Sequence, residues 1–127
     1  MHAAVRRFHS PDAYDLQGWT PADLTCFGIL LQVLIGPRDG EGEESFEFVV
    51  CNPEWLRKKY GDDGVIICRH YIIVFDFDFS RIKSAIESLV ARAYGEDWHE
   101  IALKLSRYAQ WEFEDYTPVK NSDQDRG

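Results

Sequence analysis

The sequence predicts an α+β domain: an antiparallel sheet of about four strands with helices packed mainly on one face, in the order β-β-β-α-β-α-α. Three observations predict it. Apolar residues in the first half form short runs or alternate with polar ones, as strands require. Those at 82–93 and 98–108 recur at helical spacing. The links between the early strands are tight and rich in Gly and Pro.

Residues 3–8 suit a short first strand, followed by a polar loop carrying Pro11, Gly18 and Pro21. Residues 25–35 are apolar on both parities, with Phe27, Ile29, Leu31 and Val33 set against Leu30 and Leu34. That is the mark of a central strand covered in part on both faces. Gly36, Pro37, Gly40 and Gly42 then make a hairpin loop of flexible reach. Residues 45–51 alternate as its partner strand, with Phe46, Phe48 and Val50 on one face.

Asn52-Pro53-Glu54 is a helix start, with an N-cap, a proline at the first helical position and an acid at the positive dipole end. That helix closes at Gly61. Residues 65–75, rich in Ile and Val, predict another long strand. Asp78 or Ser80 caps the next helix, whose apolar face is Ile82, Ala85, Ile86, Leu89, Val90 and Ala93, with Gly95 ending it. Asp97 opens the last helix in the manner of a capping box, with Glu100 three residues on. Its buried stripe is Trp98, Ile101, Ala102, Leu105 and Tyr108.

The chain has 127 residues, the length of one domain, assigned to 1–116, with a polar tail at 117–127 expected to be disordered. Fourteen basic against 22 acidic residues leave a formal net charge of −8. That balance argues against nucleic acid, whose backbone is bound by Lys and Arg, and against anionic membrane surfaces. It favours basic proteins and peptides. No apolar run approaches the ~20 residues of a membrane helix, and Met1 to Arg7 lacks a signal peptide's apolar stretch, so the chain is expected in the cytoplasm. Cys26, Cys51 and Cys68 make an odd count in apolar, β-like segments, the pattern of reduced and buried thiols.

No catalytic or metal motif stands out. The four histidines have no His-x-x-x-His or His-x-Glu spacing, and no Cys-x-x-Cys, Gly-x-Ser-x-Gly or phosphate loop is present. Cys68 and His70 share a strand face and Cys26 and Cys51 lie on neighbouring segments, but zinc sites take two ligands from a tight turn, which is missing. His70 with Asp76 or Asp78 is the best acid/base candidate, although Arg69 and His70 point to opposite faces of a strand. The expectation is no catalytic residue, no metal and no cofactor. Arg57, Lys58 and Lys59 read as the last turn of their helix complementing its dipole.

What the chain does concentrate is acid beside aromatic rings. Asp39, Glu41, Glu43, Glu44 and Glu47 cluster at the predicted hairpin. Trp111-Glu112-Phe113-Glu114-Asp115-Tyr116 alternates rings and carboxylates, and in extended form Trp111 and Phe113 share one side. Such a surface can receive a basic partner, the rings as anchors and the acids for steering. The bland alternative is core rings and a solvated acidic face.

The blocks Ile35-Gly36-Pro37, Gly42-Glu43-Glu44-Ser45-Phe46-Glu47-Phe48 and Val50-Cys51-Asn52-Pro53-Glu54-Trp55-Leu56 resemble the immunity protein 8 family of bacterial polymorphic-toxin systems. The resemblance continues in Gly64, Arg69-His70-Tyr71-Ile72-Ile73-Val74, Trp98, Ile101-Ala102, Lys104-Leu105-Ser106-Arg107-Tyr108 and 111–116, and covers about residues 24–116. It implies a cytosolic, non-enzymatic inhibitor that binds and neutralises a cognate toxin domain with a basic surface. The toxin-binding candidates are Glu41, Glu43, Glu44, Glu47, Trp111, Glu112, Glu114, Asp115 and Tyr116, chosen from local chemistry. Two rival expectations remain: a small ligand-binding domain or enzyme centred on His70, and a self-associating structural module.

Overall fold

Every second residue of the longest strand is buried, and this alternation sets the architecture. A computed structural model describes residues 1–114. In chain order its elements are β1 (Ala3–His9), β2 (Gly28–Pro37), β3 (Glu44–Cys51), α1 (Pro53–Tyr60), a 3-10 turn (Gly61–Asp63), β4 (Tyr71–Ile73), α2 (Phe79–Ala91), α3 (Trp98–Leu105) and β5 (Gln110–Trp111). The α+β expectation holds, and the sheet has five strands.

The sheet runs β1-β2-β3-β4, with β5 also on β3. β2 occupies one side of β3 along its length. On the other side β4 pairs with Val49 to Cys51 and β5 with Phe46 and Glu47. All pairings are antiparallel except β3 with β4, which is parallel. The purely antiparallel expectation is corrected there for a physical reason. A hairpin returns the chain antiparallel, whereas α1 and the following loop form a crossover that brings it back in the same direction.

One sheet face carries Ile29, Leu31, Val33 and Ile35 of β2 with Phe46, Phe48 and Val50 of β3, all buried against Ile82, Ile86 and Val90 of α2 and Ile101, Ala102 and Leu105 of α3. Among the described residues the opposite face lacks such cover along most of its length, although Cys51 at one end is buried. Leu30, Gln32 and Leu34 of β2, Glu47 and Val49 of β3 and Tyr71 of β4 are only half-buried there. Two glycines close its ends. A Cβ on Gly28 would lie 2.3 Å from the Trp55 ring, so α1 lies over that end. A Cβ on Gly36 would lie 2.0 Å from the Gly42 carbonyl oxygen, so the hairpin loop folds back over the other.

Local signals account for the junctions. Asn52 caps α1 by accepting from the Trp55 N–H at 3.1 Å, and also accepts from Phe27 N–H at 3.2 Å while donating to the Thr25 carbonyl at 2.9 Å. One side chain thus joins the start of α1 to the entry of β2. Asp78 and Asp97 cap α2 and α3. α2 ends at Ala91 with Arg92 as its C-cap, before Gly95. The hairpin loop is not left to its own flexibility: Arg6 donates to the carbonyls of Pro37 at 2.6 Å, Gly40 at 2.7 Å and Gly42 at 3.4 Å.

The long strand expected at 65–75 is the main correction. Only Tyr71–Ile73 is strand. Gly64 and His70 take left-handed φ values of 73° and 61°, which interrupt extended pairing on either side of residues 65–69. Val65 and Ile67 are 72% and 98% exposed. Cys68 is likewise exposed, not buried as its β-like setting suggested, while Cys51 is buried and Cys26 half-buried. Tyr108, placed in the α3 stripe, is exposed too.

Candidate functional site

The candidate acids meet different fates, decided by strand parity. Glu44 lies on the helix-covered side of β3, opposite Ile35, and its Oε1 accepts the indole N–H groups of Trp98 at 2.8 Å and Trp111 at 2.9 Å. Trp111 itself is only 8% exposed and stacks on Phe46, with an interplanar angle of 9°. β5 ends at Trp111, so the extended geometry that put Trp111 and Phe113 together as surface rings is absent. The two rings instead meet edge to face at 5.9 Å.

Glu112 accepts from the Ser45 N–H at 2.5 Å and its own N–H donates to the Ser45 carbonyl at 3.0 Å, extending the β3–β5 contact. Glu114 binds Arg69 through both carboxylate oxygens, one of them at 2.9 Å, and Arg69 also donates to the Ser106 carbonyl. This fork holds the Glu114 carboxyl below the usual carboxylate range. Asp115 and Tyr116 lie outside the described residues.

Glu41, Glu43 and Glu47 remain as the outward acids. Glu41 is exposed in the hairpin loop. Glu43 pairs with Arg7 of β1 at 2.8 Å. Glu47, in the middle of the open sheet face, accepts from the Gln32 amide at 3.0 Å. Beyond it the face becomes aromatic. The Tyr60 and Tyr71 hydroxyls meet at 2.5 Å, both rings pack edge-on or tilted against Trp55, and the Lys59 ammonium sits 4.7 Å over the Trp55 ring. The shared hydroxyl contact, with burial, pushes the Tyr71 phenol up to about 12.

His70 is the residue whose surroundings the sequence misjudged. It is not on a strand: it precedes β4, left-handed, and its carbonyl accepts from Val49 N–H at 2.8 Å. Its Nδ1 is buried with no hydrogen-bond partner among the described residues. Burial, with Arg69 beside it, lowers its pKa against the opposing pull of Glu114 and Glu47. A hollow of about 290 Å³ adjoins it, floored by Phe48, Ile72, Ile86 and Leu89 and reached by Arg107. Burial, and after it the nearby Cys68 thiol, holds the Cys51 thiol up at about 11. Among the described residues no group of three or more His, Cys, Asp or Glu side chains could hold a metal ion.

The architecture therefore defines an acid-rich α+β domain with α2 and α3 on one side of a sheet and, on the other, a half-apolar face that α1 covers at one end. A family model described as Immunity protein 8 matches residues 3–116, so the chain belongs to the immunity protein 8 family, and β1 is included in the match. No curated protein and no solved structure matches the chain. Membership makes it an immunity protein of toxin systems. No helix among the described residues is long and apolar enough to cross a membrane.

Proposed function

We propose that this chain neutralises a cognate toxin domain by binding it, without catalysis, in the cytoplasm of the cell that it protects. The family match over residues 3–116 is the observation that carries this reading. The charge supports it: at −8, the chain suits a basic partner such as an enzyme that acts on phosphates. Glu41, Glu43 and Glu47 steer and pair with that partner, whereas Glu44, Glu112, Glu114 and Trp111 hold the acidic edge in place. The test is association kinetics against the toxin domain encoded beside this chain. Glu41→Lys with Glu43→Lys lowers the on-rate about tenfold at low salt and little at high salt, since steering is screened over about 10 Å at 0.1 M. An unchanged on-rate at low salt contradicts the acidic surface.

One observation favours a second reading. The unpartnered Nδ1 of His70 and the hollow beside it suit a small amphiphilic anion, its apolar part on Leu89 and Ile86 and its charge toward Arg107. Titration with benzoate, followed by the His70 imidazole resonances, tests it. Saturable shifts that Arg107→Ala abolishes support it, and unmoved resonances refute it.

A further inference from the structure

Residues 65–75 are rich in Ile and Val, but the fold buries only part of them: Ile72 and Val74 pack on the core. Val65, Ile67, Ile73 and Phe75 are all exposed, and no helix or strand among the described residues covers them. Leaving such surface in water costs roughly 25 cal/mol per Å², so four exposed apolar side chains on one short segment point to a partner.

The two ends of the sheet differ in how they are guarded. β1, at one end, carries Arg6 and Arg7, charges that deter another strand from pairing there. β4, at the other end, reads Tyr-Ile-Ile and carries no charge. Its register is fixed by the Val49 N–H donating to the His70 carbonyl and the Val74 N–H donating to the Cys51 carbonyl. Residues 70, 72 and 74 therefore turn their backbone groups toward β3, and Tyr71 and Ile73 turn theirs outward. An edge with outward amides at Tyr71 and Ile73 and an exposed Ile73 side chain is a template for an added strand.

Charge decides between possible occupants. Asp62 and Asp63 precede the apolar run and Asp76 and Asp78 follow it. Of the nearby cations, Arg69 is held by Glu114 and Lys59 lies over the Trp55 ring, while Arg107 lines the hollow beside His70. A second copy pairing at this edge would bring these carboxylates against their equivalents, at −8 per chain. A basic partner would meet them favourably.

We infer that the toxin domain presents an extended segment, apolar in the middle and flanked by Lys or Arg, that adds as a strand to the free edge of β4 and packs on Ile67 and Ile73. This rests on the immunity reading and extends the acidic sheet face past Glu47, its neighbour along β3. The experiment uses the full chain with the adjacent toxin domain and reads affinity together with amide hydrogen exchange. Binding is expected to slow exchange at Tyr71 and Ile73, and Ile73→Lys or Ile67→Asp is expected to weaken affinity roughly thirtyfold or more, with an unchanged melting temperature. Wild-type binding with no added protection at Tyr71 and Ile73 overturns the edge site but leaves the immunity role standing, even if the variants fail to fold. Failure of the wild-type chain to bind overturns both. A concentration-dependent dimer in sedimentation, abolished by Ile73→Lys, overturns the inference in favour of a second copy.

Discussion

Glu44 and Trp111 are joined by a 2.9 Å hydrogen bond across 67 residues of chain, the acid receiving the indole N–H. The same oxygen receives Trp98 at 2.8 Å. A carboxylate at the mouth of the hairpin thereby ties β3 to α3 and β5. An acid and a ring chosen as partners for another molecule are partners for each other.

Removing that acid orphans two partly buried donors. Glu44→Ala is expected to cost about 2–4 kcal/mol of stability, because hydrogen bonds to a charged group contribute about 1.5–3 kcal/mol each and are not additive. Glu44→Gln keeps a carbonyl acceptor and should cost less than half as much. Urea unfolding followed by tryptophan fluorescence measures both. Equal losses for the two variants would show that the carboxylate acts by charge alone.

Gly28 leaves room for Trp55. Its added Cβ would sit 2.3 Å from the ring, so Gly28→Ala is expected to displace α1 at a cost of about 1–3 kcal/mol. Trp55→Ala is costly alone, but in the double variant the Gly28→Ala penalty should largely vanish. A double-mutant cycle checks this, and strict additivity would contradict the contact.

Acid should lower the stability of the fold in two pH windows. His70 has a lowered folded pKa, so the unfolded chain takes up that proton first. The stability tied to the neutral imidazole is complete above about pH 6.5 and falls as pH drops from there to the folded pKa. Glu114 also has a lowered folded pKa, so its contribution is complete above about pH 4.3 and falls below it, softened by solvent screening of this surface pair. Unfolding midpoints from pH 8 to pH 3 measure both losses. His70→Asn, which tolerates the left-handed backbone, should erase the first loss, and Glu114→Gln the second.

Thiol reactivity should follow exposure. Cys68 is exposed, and Cys51 is buried with a thiol raised to about 11. At pH 8 an alkylating reagent followed by mass spectrometry should modify Cys68 first, Cys26 more slowly and Cys51 only with unfolding. Labelling of Cys51 as fast as Cys68 would contradict the burial of Cys51 at the end of β3.

Where the chain carried punctuation, sequence reasoning placed elements well. Asn52-Pro53 located α1, Asp78 and Asp97 located the later helices, and the alternation of Phe46, Phe48 and Val50 located β3. It failed where composition and geometry part. The Ile- and Val-rich stretch at 65–75 has strand composition, but only Gly64 hinted at the break, and nothing marks His70 as left-handed. β5 is two residues long, too short to show a period, so the sequence groups Trp111 with its acidic neighbours and not with Phe46. The acids were legible as a cluster but not by direction: the register that turns Glu44 inward and Glu47 outward appears only once β3 is paired.

The central claim is protection by binding, and co-expression tests it most directly. The toxin domain encoded beside this chain, induced in cells, is expected to stop growth alone and to be tolerated when this chain is made with it, with the two proteins purifying as a complex. A neighbouring domain that is harmless alone, or that still kills when this chain is present at equal level, would contradict the account.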